Sequence, residues 1–251
     1  MKDELLINGF ENEKIIANAL NGKHFSAVNP LFNEMLCKLY GNLKDDDLIE
    51  AKVNYGLKKY DLVIKIKNKI KRISVKKGIN NSVHAEPIEK FIIFLKELNI
   101  DNNYINNFLE YFYADGTLNG TGKNRKSVKE YKELNQDKID QINVLFNTEE
   151  IVKKCIDRFI LQGNNSKHKI DGLIYGIKND FLFLTSKEIE EIIMSKISLY
   201  STGIHFSRLF CQPMTRNLNN NSFYECKRHV VQIKWYSLFD DIIEYKNSIF
   251  E

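Results

Sequence analysis

Apolar positions recur at helical spacing over residues 9–20, where Phe10, Ala17 and Leu20 share one stripe, and this predicts a helix. Leu31 to Tyr40 repeats the pattern. Residues 59–76 alternate instead with period two, which predicts two strands. Residues 86–97 return to helical spacing, with Pro87 in the first turn and Ile88, Phe91, Ile92 and Leu95 on one face. Asp101 is placed to cap a helix running to about Tyr113. Ala114 to Ser127 is polar and contains glycine, so it reads as a loop. Helices follow over 136–146 and 148–161, then a hairpin from Gly172 to Ile177 and Phe181 to Leu184. Thr185 and Glu188 form a capping-box pair ahead of a helix over about 186–195. Two further strands are expected near 203–211 and 229–236, bracketing the Asn-rich loop Asn217 to Asn221. Mixed strands and helices predict an α/β fold, a central mixed sheet flanked by helices.

The chain of 251 residues fits one large domain, or a core domain with a smaller appendage, and can bury a real core. Its longest apolar runs, such as Ile92 to Leu95, are far too short to span a membrane. The opening Met1-Lys2-Asp3-Glu4 does not lead into the apolar core of a signal peptide, so a cytoplasmic setting is expected. Four scattered cysteines (Cys37, Cys155, Cys211, Cys226) form no C-x-x-C pair and read as free thiols. Lys, Ile and Asn number 31, 31 and 29, a composition expected from AT-rich coding, so basic residues are partly background. The net charge is only +4, and any nucleic-acid argument must rest on local placement.

Local placement is strongest over 58–77, with nine Lys or Arg and one acid. With Asn68-Lys69 as a two-residue turn, Leu62 faces Val75, Ile64 faces Ile73 and Ile66 faces Lys71 on a side that packs on the core. The other face then sets Asp61 opposite Lys76 and Val63 opposite Ser74. A surface salt bridge across the hairpin is the plain reading. The functional one is a metal-dependent phosphodiesterase site. There Asp61 supplies hard oxygen to Mg²⁺, and Lys76 orients the attacking water or steadies charge on phosphorus. Glu13 falls inside the apolar stripe of the first helix, where a carboxylate is costly unless paired or metal-bound; the plain alternative is a boundary residue whose acid reaches solvent. Gly120-Thr121-Gly122-Lys123 is not a P-loop, because Thr117 stands where the first Gly is needed and Asn124 replaces Ser/Thr.

The pattern Asp61 … Ser74-Val75-Lys76 resembles the PD-(D/E)xK nuclease superfamily, with Tyr60 in place of the proline and Ser74 in place of the usual acid. Three further blocks resemble a small GCGC-cutting type II restriction endonuclease in order and spacing. They are Asn8 to Ala17, Lys77 to Asn81, and the pair Gly203 to Arg208 with Gln232 to Trp235 and Leu238 to Asp240. The resemblance implies a restriction-endonuclease-like core over 1–251 as a single nuclease domain. A helical insertion at about 100–165 and C-terminal recognition strands at about 203–236 belong to it. It implies Mg²⁺ held by Asp61, by the Val75 carbonyl and by Glu13 through water. Ser74 would bond a metal water and Lys76 would position the attacking one. Lys77, Asn80, Asn81 and Ser82 would meet double-stranded DNA beside the cut. His205, Arg208, Gln212 and Arg216, with Asn219 and Asn220, would face the major groove, where Asn and Gln read adenine and Arg and Lys read guanine. The implied activity is site-specific cleavage at a short palindrome, GCGC by resemblance, within a prokaryotic restriction–modification system that includes a cognate methyltransferase. A palindrome favours a homodimer, and a monomer cutting one strand at a time is the alternative. A catalytically inactive or non-sequence-specific DNA-binding protein on the same fold is the competing reading, because Ser74 replaces an acid.

Overall fold

The computed structural model describes residues 8–78, 81–164, 166–198, 203–214 and 222–249. In chain order the elements are α1 (Gly9–Leu20), β1 (Lys23–His24), α2 (Pro30–Tyr40), β2 (Leu48–Val53), β3 (Leu62–Ile66), β4 (Lys69–Lys76), β5 (Ser82–Pro87), α3 (Ile88–Glu97) and α4 (Asn102–Tyr113). They continue as α5 (Val128–Phe146), α6 (Glu149–Ile156), β6 (Gly172–Ile177), β7 (Asp180–Thr185), α7 (Ser186–Ser195), β8 (His205–Phe206), β9 (Leu209–Pro213), β10 (Val230–Lys234) and α8 (Leu238–Ile249). The chain forms two compact units. One holds residues 1–81, 156–192 and 237–251, and the other holds 82–155 and 193–236. No helix among the described residues is long and apolar enough to cross a membrane.

The first unit is built on a six-stranded sheet in the order β1-β2-β3-β4-β6-β7, with the β3–β4 hairpin at its centre. Only β4–β6 is parallel; the other pairs are antiparallel, so the sheet is mixed. Asp171 fastens the parallel pair: its carboxylate accepts from Arg72 N and Lys71 Nζ, and its own N–H donates to Arg72 O. The core beneath the sheet joins Ile16, Ala17 and Leu20 of α1 and Phe32, Met35 and Leu36 of α2 to Ile49, Leu62, Ile64, Ile73 and Ile174. Alternation along β3 sends Leu62, Ile64 and Ile66 into this core. Asn8 caps α1 with a full capping box to Glu11, and Asn29 with Pro30 opens α2.

The second unit carries an antiparallel sheet in the order β5-β10-β9-β8, with Phe91, Phe108, Phe112, Phe146 and Phe206 in ring contact in its core. The expected insertion and the C-terminal strands fall together here, apart from residues 156–165. The expected helix over 136–146 is the second part of α5. Its first part begins at Val128 behind a Ser127–Glu130 capping box, and Asn135 breaks the helical backbone between the two. The helix expected over 148–161 runs as α6 and then a π-helical turn, Asp157–Gln162. Strands β1, β2 and β5 had no counterpart in the sequence reading.

Candidate active site

The hairpin forms, but its register differs from the expected one by two residues. Leu62 pairs with Ile73, Val63 with Arg72 and Ile66 with Lys69, so the turn is Lys67-Asn68 with Lys67 at φ 53°. In this register Lys67 reaches Asp47 Oδ2 at 2.7 Å. A two-residue shift keeps every side chain on its predicted face, because side chains alternate with period two. It changes who meets whom. Asp61 is opposite Ser74, not Lys76. Its N–H donates to Ile73 O at 2.9 Å, and its Oδ2 accepts from Ser74 Oγ at 3.0 Å and from Val75 N at 2.6 Å. Ser74 is 1% exposed, so the hydroxyl is committed to the carboxylate.

This arrangement sits where the β3–β4 ladder stops. In an extended strand the N–H and C=O of one residue point to the same side. The Val75 N–H is on Asp61, so its carbonyl is directed to the same open end of β3. Lys76 follows, half-buried, and pairs in parallel register with Tyr175 of β6. Tyr175 in turn donates its hydroxyl to Gly78 O at 3.0 Å. Gly78 has φ +95°, a conformation open to glycine, so the chain leaves the lysine strand through a fixed turn.

Glu13 of α1 lies within electrostatic reach of both Asp61 and Lys76. Burial and then the Asp61 charge push its carboxyl up to about 7, against a smaller opposing effect of Lys76. Its neighbour Asn12, 1% exposed, donates Nδ2–H to Gly176 O at 3.0 Å and so ties α1 to the β6–β7 hairpin. Lys59 is a basic group near the site that the sequence reading did not single out. Its ammonium is enclosed and donates to the Phe159 carbonyl. Burial, with the Lys76 charge second, holds it down to about 7. Its position two residues before Asp61 was the available signal.

The donor set suits a small hard cation. Both side-chain bonds to Asp61 fall on Oδ2, leaving Oδ1 open among the described residues. Glu13 supplies a second carboxylate whose ionisation is opposed by its surroundings, and a bound cation would reverse that. No group of three His, Cys, Asp or Glu side chains among the described residues forms a metal cage. Two carboxylates and a carbonyl, with water filling the remaining positions, could hold a hard divalent cation.

The expected DNA contacts are distributed differently. Lys77 and Asn81 follow β4 and are half-buried, and Asn80 lies outside the described residues, as do Arg216, Asn219 and Asn220. In the second unit, Ser82 Oγ accepts from Gln232 Nε2 at 3.0 Å, and Gln212 pairs with Gln232 across β9–β10 while its Oε1 accepts from Tyr236. Ser82, Gln212, Gln232 and Lys234 therefore share a polar, half-exposed region of that sheet; the two β10 residues were not on the predicted set. Arg208 is half-buried at the β8–β9 turn. His205 is 2% exposed, and its ring nitrogens face Gly203 O and Ser198 O. It is a core histidine at a position where a base-reading side chain was expected. The four cysteines are free, with Cys37 and Cys226 exposed and Cys155 and Cys211 buried.

A mixed sheet with this hairpin at its centre and helices packed on it defines the class: the chain has a restriction-endonuclease-like α/β fold. The crystal structure of restriction endonuclease MspI in complex with its cognate DNA is similar to it with a TM-score of 0.54, over 88% of this chain and 87% of that one, at 14% identity. At that identity the likeness establishes fold alone. No family model matches the chain, and no curated protein matches it.

Proposed function

We propose that the protein is a Mg²⁺-dependent type II restriction endonuclease that cuts double-stranded DNA at a short palindromic site. The observation that carries this is Asp61, held at the open end of the central hairpin by the Ser74 hydroxyl and the Val75 amide of the opposite strand, the one that ends in Lys76. Asp61 Oδ1, the Val75 carbonyl and Glu13 would hold the metal, Glu13 through water. When bound, the ion neutralises phosphodiester charge and makes a coordinated water more acidic. Ser74 keeps the Asp61 carboxylate oriented. Lys76 positions the attacking water and offsets the negative charge that builds on phosphorus. The similarity to a DNA-bound restriction endonuclease supports DNA as the substrate. A cognate methyltransferase would then protect the host site, and GCGC is the first sequence to try.

The test is incubation of the protein with unmethylated DNA of known sequence, in Mg²⁺ and in EDTA. Discrete fragments in Mg²⁺ that vanish in EDTA are expected, and sequencing their ends gives the site. Asp61→Ala and Lys76→Ala are each expected to lower cleavage by about 10²-fold or more, the scale of losing one preorganised charged group, while binding persists. Wild-type cleavage by Lys76→Ala would remove this active site from consideration. One observation favours a second reading, a DNA-binding protein without cleavage: Ser74 spends its hydroxyl on Asp61 and adds no acid. Salt-sensitive binding with no cut in Mg²⁺ or Mn²⁺, and activity appearing in Ser74→Glu, would favour that.

A further inference from the structure

The connection between β2 and β3 ends in an apolar tip. Leu57 is 87% exposed and Tyr55 is 78% exposed, with Gly56 between them. Large apolar side chains this exposed lose the benefit of burial, and when clustered they mark a contact surface. The cluster is braced. Tyr55 meets the Phe10 ring of α1 edge-on at 5.6 Å, and the Lys14 ammonium sits over that ring at 4.4 Å. Lys58 is held 5.5 Å from the Tyr60 ring. Residues 51–60 carry three lysines and no acid. An apolar tip between cationic flanks is complementary to a duplex, whose phosphates line the edges of a groove and whose apolar base faces lie within.

The tip is also tied to the catalytic carboxylate. Asn54 N donates to Asp61 O at 2.8 Å, and Asn54 Nδ2 donates to Tyr60 O at 3.1 Å, which closes the root of the loop on Asp61. Four chain steps lead from Leu57 to Asp61, a reach of at most ~14 Å. At ~3.4 Å per base step, that is within about four steps of a phosphate bound at Asp61. Phe10 and Tyr55 further connect α1, which carries Glu13, to the same tip.

We infer that the 54–58 loop is a DNA wedge: Leu57 and Tyr55 enter the duplex beside the scissile bond and unstack one base step, while Lys14 and Lys58 contact the flanking phosphates. This rests on the nuclease reading above. It adds a feature that the Asp61–Lys76 site does not require, namely a deformed substrate and a preference for base steps that unstack readily.

The experiment uses the full chain and duplexes carrying 2-aminopurine at successive positions within four steps of the cut, with Ca²⁺ replacing Mg²⁺ to block cleavage. Wild type is expected to raise fluorescence at one step, and the double variant Tyr55→Ala/Leu57→Ala is expected to abolish that rise. The double variant should bind about tenfold or more weakly, the scale of losing a base-stacking contact. Its salt dependence should match wild type, whereas Lys58→Ala should reduce the slope of log K against log salt by about one. Both variants alter exposed side chains, and an unchanged circular dichroism melt verifies folding. A double variant that binds and cuts like wild type, with no fluorescent step, overturns the wedge and leaves the nuclease standing. A double variant that turns a dimer into a monomer with unchanged DNA affinity assigns the tip to a second copy of the chain and also overturns it. Wild type that neither binds nor cuts duplex DNA fails the nuclease reading and the wedge together.

Discussion

Glu13 and Lys59 set opposite pH dependences on the metal-free protein. Between 4.5 and about 7 the native Glu13 holds a proton that the unfolded chain has lost. Its contribution to stability is therefore complete below 4.5 and is lost as pH rises through about 7. Lys59 behaves in reverse. Above about 7 the native amine is neutral while the unfolded one keeps its proton to 10.5, so stability rises with pH across that window. Melting temperatures of Glu13→Gln in EDTA between pH 4.5 and 7 are expected to fall less steeply than those of wild type. An equal slope would show that Glu13 is not held protonated. At Ser74, substitution by Ala removes one of two bonds to Asp61 Oδ2, and a loss of about tenfold in cleavage is expected, as for a hydrogen bond to a charged group. The sequence placed Asp61, Ser74 and Lys76 on one face because alternation alone decides faces. It did not give their partners, since Asn68-Lys69 and Lys67-Asn68 are both weak turn pairs and the contacts of the observed register, such as Lys67 with Asp47 20 residues away, are not local.

Elements with a strong period were legible, and those defined by their neighbours were not. α1, α2, α4 and the β6–β7 hairpin follow their predicted spans because caps, stripes and alternation agree. β2 alternates Ile49, Ala51 and Val53 with Glu50 and Lys52, yet its exposed Leu48 and small Ala51 blur the signal. β5, Ser82–Pro87, has little strand character of its own and forms because β10 pairs with it. Asn12 looked like one of 29 asparagines, and its role shows only when Gly176 arrives from 164 residues away. Asn12→Ala would strand the Gly176 carbonyl and loosen α1, at a cost of about 1–2 kcal/mol. A thermal melt measures that cost, and a rise in the Mg²⁺ concentration for half-maximal cleavage would show that Glu13 moves with the helix. Gly176 itself, at φ +132°, has no room for a side chain: a Cβ there would lie 2.3 Å from Asp180 O. Gly176→Ala is therefore expected to be destabilising by more than about 1 kcal/mol, measured by denaturant unfolding.

At the scale of the molecule, the α/β class was readable from the mixture of periods, whereas the division into two units was not. The chain crosses between units several times, and no linker composition marks the crossings. Metal binding offers a whole-molecule test that needs no substrate. A ligand bound only by the native state raises stability. Mg²⁺ at millimolar concentration is expected to raise the melting temperature of wild type and leave Asp61→Ala unmoved. Equal shifts in both would place the ion elsewhere.

The parallel pairing of β4 with β6 has a further consequence, for synthesis. Ile73 meets Gly172 and Lys76 meets Tyr175, partners about 100 positions downstream. While the chain is emerging, the β3–β4 hairpin can close at once, but the outer edge of β4 must wait for a strand not yet made. For that interval the centre of the finished sheet is an open edge, the kind that recruits neighbouring chains into aggregates. Lys69, Lys71, Arg72 and Lys76 line that strand. The positive charges of this strand guard the unfinished edge through like-charge repulsion, and the lysine strand reaches its final surroundings only after the downstream segment docks.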